Sequence, residues 1–214
     1  MTEGKLFTEE DALLLEEIIL NRRDIRGNHF IDKQLSDKSL DRLMKAAVSA
    51  PSVGFSQPWE FVVIKDNAIK QQIKESFEIA HLKETTFFKD EKQQAYVQLK
   101  MEGILESPVN IAVFYKPSPE PVLGQTNLKE TGIYSVVCAI QNMWLTARAL
   151  NIGMCWVSIL NEENVKKILN APAENQLIAY LCVGYVDKFL AQPELEALKW
   201  EKRKENVIFF NQYK

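Results

Sequence analysis

Residues 134–160 are the most apolar stretch of this chain, and they constrain its fold more than any other part. A membrane span needs about 20 mostly apolar residues. Gln141, Asn142, Arg148 and Asn151 interrupt this one, so no span is expected and the rest of the chain must bury it. Asn151 and Gly153 carry the stop signals of a helix C-terminus. They divide the stretch into a long buried helix, 134–150, and a buried strand, 154–159.

The flanking sequence supplies partners for both. Thr8 followed by Asp11 has the form of a helix start, and Leu13, Leu14, Ile18 and Ile19 then recur at helical spacing over 9–21. Ser36 caps a second helix with Leu40, Leu43, Met44, Ala47 and Val48 inward, and Pro51 stops it. Short apolar runs rich in β-branched residues predict strands at 61–64, 109–115 and 178–186. Residues 67–80 and 92–106 read as helices, and one more helix separates the last two strands. The 81–91 segment is polar but carries Phe87 and Phe88, which predicts a mobile lid or dimer arm. Pro117, Pro119 and Pro121 mark an irregular loop. The tail from Pro193 has no clear period, yet 207–210 is β-prone and is expected to pair with a sheet edge of this or a second subunit. Strands interleaved with helices point to an α/β or α+β domain with a central sheet. A chain of 214 residues suits one such domain, 1–214, with 193–214 as its C-terminal extension.

Composition removes several functions. A net charge of −3 argues against a general nucleic-acid binder. The two histidines, His29 and His81, have no neighbour at metal-ligand spacing, so no metal site is expected. No GxSxG, GxGxxG or P-loop pattern occurs, which disfavours a serine hydrolase or a Rossmann-type dinucleotide enzyme. Cys138, Cys155 and Cys182 fit neither a CxxC pair nor a zinc pattern. They read as three buried small hydrophobes in a reducing compartment. No charged start followed by an apolar core appears, so no signal peptide and a cytoplasmic location are expected.

Three constellations could carry chemistry. Arg22, Arg23 and Arg26, with Asp24 among them, follow the first helix. They read as an anion clamp, since guanidinium binds phosphate in a bidentate fork, or as a solvated charge cluster that ends a helix. The stretch from Ala50 through Pro51, Ser52 and Gln57 to Trp59 reads as a rigid loop exposing backbone donors, with Gln57 suited to a heterocycle edge. It reads equally as an ordinary helix-to-strand connection. In Cys155, Trp156, Val157 and Ser158, strand alternation would put Trp156 and Ser158 on one face. The Ser158 hydroxyl could donate to a ring nitrogen, or merely satisfy or cap the helix that follows.

Together these segments resemble the FMN-dependent nitroreductase superfamily, which shares an Arg-Arg-x-x-Arg segment after the first helix and a Pro-Ser loop ending in Gln-Pro-Trp. The closer resemblance is to the 5,6-dimethylbenzimidazole synthases, flavin-fragmenting enzymes that make the lower ligand of cobalamin. RRDIR at 22–26, APSVGFSQPWEF at 50–61, LKMEGILESP at 99–108 and YSVVCAIQNMWLTARA at 134–149 carry it, continued by WVSI at 156–159, YLCVGYV at 180–186 and PELE at 193–196. Asp24 is the sharpest marker, because ordinary nitroreductases usually have serine there. The sequence departs from the pattern at Ser56, Gly132 and Cys155.

The resemblance implies an α+β, three-layer α/β/α sandwich with a mixed, mainly antiparallel central sheet. It implies a homodimer with FMN at the interface. Arg22, Arg23, Arg26 and Arg203 would serve the phosphate. Pro51, Ser52, Gln57, Trp156 and Val157 would serve the rest of the flavin, and Asp24 and Ser158 the chemistry. Reduced FMN would be the substrate and O2 the co-substrate, giving 5,6-dimethylbenzimidazole and a four-carbon sugar phosphate. A separate flavin reductase is one source of the reduced flavin. The rival readings are an NAD(P)H-dependent nitroreductase or flavin reductase, and a flavin-binding module without turnover.

Overall fold

The structure is a computed structural model and describes residues 3–205 and 207–211. Helix α1, Glu9–Leu20, starts where the sequence places it. Thr8 accepts the Asp11 N–H, and the Asp11 carboxylate takes the Thr8 N–H in return. Ser36 caps α2, Asp37–Val48, by accepting the Ser39 N–H. Strand β1, Trp59–Ile64, leads to α3, Asn67–Thr85, which Asp66 caps. Next come α4, Asp90–Gln98, and strand β2, Val109–Tyr115. Then follow α5, Thr131–Ala149; β3, Ile152–Val157; α6, Glu162–Leu169; β4, Gln176–Tyr185; and the single turn α7, Glu194–Ala197.

The four strands form one sheet in the order β1-β2-β4-β3. The expected mixed sheet is, among the described residues, antiparallel at every pairing. Side chains alternate across a strand, and the core divides accordingly. Val109, Ile111, Val113, Leu181, Val183 and Met154 face Leu43 and Ala47 of α2 and Val136, Ile140 and Met143 of α5. Ala112, Phe114, Tyr180, Cys182, Cys155 and Val157 face Ile73 and Phe77 of α3 and Val165 of α6. The sheet thus lies between two helical layers, as the family resemblance implied.

Several boundaries differ from the sequence reading. Helix α3 runs on through His81 to Thr85, because the His81 ring stacks between Phe77 and Tyr96 at 5.3 and 4.9 Å. Within the rest of 81–91, Phe88 packs on Tyr96 and Trp200 while Phe87 is exposed. The helix expected over 92–106 starts two residues earlier and stops at Gln98. Beyond it the carboxylate of Glu102, 1% exposed, accepts the Ile104 N–H at 2.7 Å, Lys100 Nζ at 2.6 Å and Lys74 Nζ at 2.9 Å. That network holds an irregular turn in place of helix. Burial opposes the Glu102 charge, but Lys100, the Ile104 N–H and Lys74 hold its carboxyl below the usual glutamate range. Residues 207–210 form no strand with the described residues and are exposed.

Helix α1 stands apart from this core. It buries none of its residues, and Leu13, Leu14, Leu15, Ile19 and Leu20 are all exposed. No helix among the described residues is long and apolar enough to cross a membrane.

Candidate active site

The Arg22–Arg26 segment is laid along the outer edge of β3. The Ile25 N–H donates to the Met154 carbonyl at 3.0 Å, and the Asp24 Oδ1 accepts the Trp156 N–H at 3.2 Å. Ile25, 1% exposed, anchors the segment in the core. Gly27 permits a close approach to the Lys100–Glu102 turn, since a Cβ there would stand 2.7 Å from the Glu102 carbonyl. Ile25 thus enters the core while the Asp24 and Arg26 side chains pair with each other beside the β3 edge.

The three arginines have different surroundings. Arg23 donates to the carbonyls of Leu190 and Ala191, and to those of Leu20 and Arg22, tying the tail to the segment. Arg26 is directed inward and is 9% exposed. Its Nη2 meets the Asp24 Oδ2 at 2.9 Å, its Nε lies 3.7 Å from the Glu194 Oε2, and its Nη1 reaches the Met101 carbonyl at 3.2 Å and the Cys155 Sγ at 3.8 Å. Arg22 makes no side-chain hydrogen bond among the described residues. Its guanidinium lies over the Trp144 ring, 4.8 Å from the centroid. Burial, then the charges of Arg22, Arg148 and Arg203, pull the Arg23 guanidinium below its ordinary range, so the exposed Arg203 also borders this positive field. Arg22 lines the cleft beside this segment with its guanidinium donors unengaged among the described residues. Burial pushes the Asp24 carboxyl above its ordinary range against the pull of Arg26, the Trp156 N–H and Arg22, and Glu194 adds to the rise. The cleft between this segment and Pro193–Leu195 has a volume of about 130 Å³. Sites for whole ligands run from about 300 Å³, so this cleft suits an anionic head group.

The other half of the predicted site lies elsewhere. The loop from Pro51 to Gln57 is pinned by two serines: Ser135 Oγ accepts the Val53 N–H and Ser52 Oγ accepts the Gln57 N–H, both at 3.1 Å. Gly54, Phe55 and Gln57 all take positive φ, which turns the backbone outward. At Gly54 a side chain would also stand 2.7 Å from the Leu123 carbonyl. Pro51 and Gln57 are exposed. This loop enters β1, whereas the arginines border β3, and those are the two opposite edges of the sheet. Three strand spacings, on the order of 14 Å, separate them.

Trp156 and Ser158 do not share a face. Trp156 turns toward α5 and lies 6.4 Å from Trp144. Strand β3 ends at Val157, whose side chain is 2% exposed and belongs to the core on the α3 face. Ser158 begins a turn closed by the Leu160 N–H and lines a groove of about 550 Å³ with Ser76, Lys83 and Glu84 of α3. The capping role left open for Ser158 falls to Asn161, which accepts the Asn164 N–H. Asp24 and Ser158 thus flank the same strand end from two different concavities.

The model of the nitroreductase family matches residues 19–185. The chain belongs to that family. It is 38% identical over 210 residues to a 5,6-dimethylbenzimidazole synthase of Rhodospirillum rubrum, covering 97% of this chain and 99% of that one. Its kinship is therefore with flavoprotein oxidoreductases of the dimethylbenzimidazole synthase type. Among solved structures it superimposes on an iodotyrosine deiodinase bound to FMN and 3-iodo-L-tyrosine, with a TM-score of 0.74 at 22% identity, covering 93% of this chain and 100% of that one. A BluB-like flavoprotein from Clostridium difficile gives a TM-score of 0.70 at 23% identity, covering 92% and 99%. Both likenesses concern the fold.

Within this family member four contributors escaped the sequence reading. Glu194 meets Arg26 from α7; Trp144 backs Arg22 and donates its Nε1–H to the Arg23 carbonyl at 3.3 Å; and Lys100 and Glu102 build the turn beneath Arg26 and Gly27. The signal available was charge: an arginine-rich segment that folds against a core requires carboxylates, and PELE at 193–196 supplies them.

Proposed function

We propose that two copies of this chain bind reduced FMN between them and catalyse its O2-dependent fragmentation to 5,6-dimethylbenzimidazole and a four-carbon sugar phosphate. One observation carries the reading. Asp24, the marker that separates this branch from ordinary nitroreductases, is a carboxylate held between an arginine and the end of the strand that leads to Ser158. The long match to a protein named for this reaction supports it.

The residues fit FMN. Arg22 is backed by an indole and has its donors free for a phosphate, with Arg203 beside the same field. The head-group cleft is too small for a tricycle, so the rest of the molecule must lie outside it, where the Pro51–Gln57 loop of a second copy could meet it. The exposed apolar residues of α1, with Tyr134 and Val137 of α5, supply surface for such a pairing. When bound, reduced FMN would supply both the electrons that activate O2 and the carbon skeleton that is cut.

The chain's own residues divide the remaining work. Arg22 and Arg203 hold the phosphate, and Arg23 fixes the loop at Leu190 and Ala191 that carries the cleft's far wall. Arg26 orients Asp24, whose proton affinity is raised by burial in the direction a general base needs. The exposed Ser158 hydroxyl donates a hydrogen bond at the strand end, and Ser52 and Gln57 of the second copy meet the ring edge. Closing the two halves excludes water from Asp24. All three thiols are free, in accord with a cytoplasmic setting, but only Cys155 and Cys182 are buried; Cys138, expected in the core, is exposed on α5.

The test is to incubate the protein with FMN and a separate flavin-reducing system in air and to measure dimethylbenzimidazole by mass spectrometry. Stoichiometric conversion of FMN is expected. Steady NAD(P)H oxidation with FMN intact would replace this reading with a reductase.

A further inference from the structure

Arg26 stands at a junction that the reaction scheme above does not use fully. The Nε–Nη2 edge of a guanidinium ordinarily grips one carboxylate with two parallel bonds. Here that edge is divided. Nη2 meets Asp24 at 2.9 Å, and Nε faces Glu194 at 3.7 Å. The opposite nitrogen is taken by the Met101 carbonyl and the Cys155 sulfur. Glu194 comes from α7, far along the chain, and the approach to α7 is fastened by the two bonds from Arg23 to Leu190 and Ala191. The second carboxylate is thus delivered to the cleft by a built connection.

We propose that Glu194 is a positioning residue: by sharing the Arg26 guanidinium it prevents Asp24 from being clamped across the fork and leaves one side of the Asp24 carboxylate available to a substrate. The inference deepens the functional reading above and rests on it for the identity of that substrate. The charged and titratable groups facing Asp24 are Arg26 and Arg22 from its own segment, Glu194 from α7 and the Cys155 thiol from β3. Burial pushes that thiol well above its ordinary range, so it carries no charge at neutral pH. Burial is the main force that raises the Asp24 carboxyl against the two guanidiniums, and Glu194 is, among the described residues, the one facing anion that adds to it. Its removal leaves Asp24 facing two cations alone, and the carboxyl becomes more acidic. A weaker base then accompanies a stronger net positive charge in the cleft.

The experiment is a carbon-13 NMR titration of full-length protein labelled at aspartate carboxyls. The Asp24 signal is identified by its loss in Asp24→Asn. In Glu194→Gln the Asp24 midpoint is expected to fall by roughly 0.5–1.5 pH units, the effect of one charge across a guanidinium between aqueous and protein-like screening. Glu194→Asp keeps the charge and should hold the midpoint near that of the parent. Glu196→Gln removes an equal charge from the same turn and should leave it unmoved. FMN affinity, read by quenching of flavin fluorescence, should be unchanged or tighter in Glu194→Gln, whereas a purely structural residue would weaken it. An Asp24 midpoint unmoved in Glu194→Gln overturns the proposal. If that variant does not fold, a midpoint in Glu194→Asp below that of Glu196→Gln overturns it. A shifted midpoint with no dimethylbenzimidazole from any form leaves Glu194 in place and sinks the functional reading instead. Product formed normally with an unmoved midpoint does the reverse.

Discussion

The two halves of the candidate site are built in opposite ways. At the β3 edge, Arg23 and Arg26 spend their donors on the protein, in bonds that reach Met101, Leu190 and Ala191, while Asp24 accepts one bond on each oxygen and Glu194 pairs with Arg26 at longer range. At the β1 edge, the Pro51–Gln57 loop rests on two serine hydroxyls and turns its backbone outward through positive-φ residues. One half is a charge network that positions a single carboxylate. The other is a shaped surface with little to grip inside its own chain. The contrast teaches that chemistry and enclosure are separate tasks here, assigned to opposite edges of the sheet.

The largest effect expected concerns the carboxylate. Asp24→Asn should keep FMN bound and lower product formation by about a hundred- to ten-thousand-fold, the usual loss for a general base; normal yield by mass spectrometry would remove the chemistry from this edge. Next comes subunit mixing. Arg22→Ala and Gln57→Ala proteins, assayed at an FMN concentration that loads the parent but neither variant, should regain about a quarter of parental activity when dissociated and re-paired, because half the dimers then hold one intact site. No recovery would place both halves of a site in one chain and end the contrast.

A smaller effect separates the arginines. Arg22→Ala should weaken FMN binding by about 1.5–3 kcal/mol with little change in unfolding. Arg26→Ala should lower unfolding stability by about 1–3 kcal/mol, since it strands two partly exposed carboxylates. Denaturant melts beside fluorescence titrations distinguish the pair. The smallest change is at the loop. Ser135→Ala removes one bond to the Val53 N–H and should cost about 1 kcal/mol of stability, leaving the Asp24 titration untouched. A shift in that titration would show the two edges to be coupled.

Much of this was readable in the sequence, for local reasons. Thr8, Asp11 and Ser36 mark helix starts because a cap needs only neighbours along the chain. Strands were placed to within a few residues by runs of apolar side chains, and the buried helix α5 by its apolar length. The arginine segment and the Pro51–Gln57 loop were visible as motifs. Their separation to opposite sheet edges was not, because strand order is a property of the folded sheet. Strand β3 stops one residue before Ser158, so alternation misplaced that hydroxyl. Glu102 and Glu194 escaped for a different reason. The arginine segment called for carboxylates, but Glu194 meets Arg26, and Glu102 meets Lys74, only across the fold, so nothing local shows which glutamates answer that charge.

The bare helix α1 carries a consequence beyond the site. Five large apolar residues in twelve find no shelter within their own chain. On the two-copy reading, mass action then enters folding itself, and dilution becomes a denaturant. The melting temperature should climb as the protein is concentrated, and an organism making few copies of this chain would hold less of it intact than its synthesis rate implies.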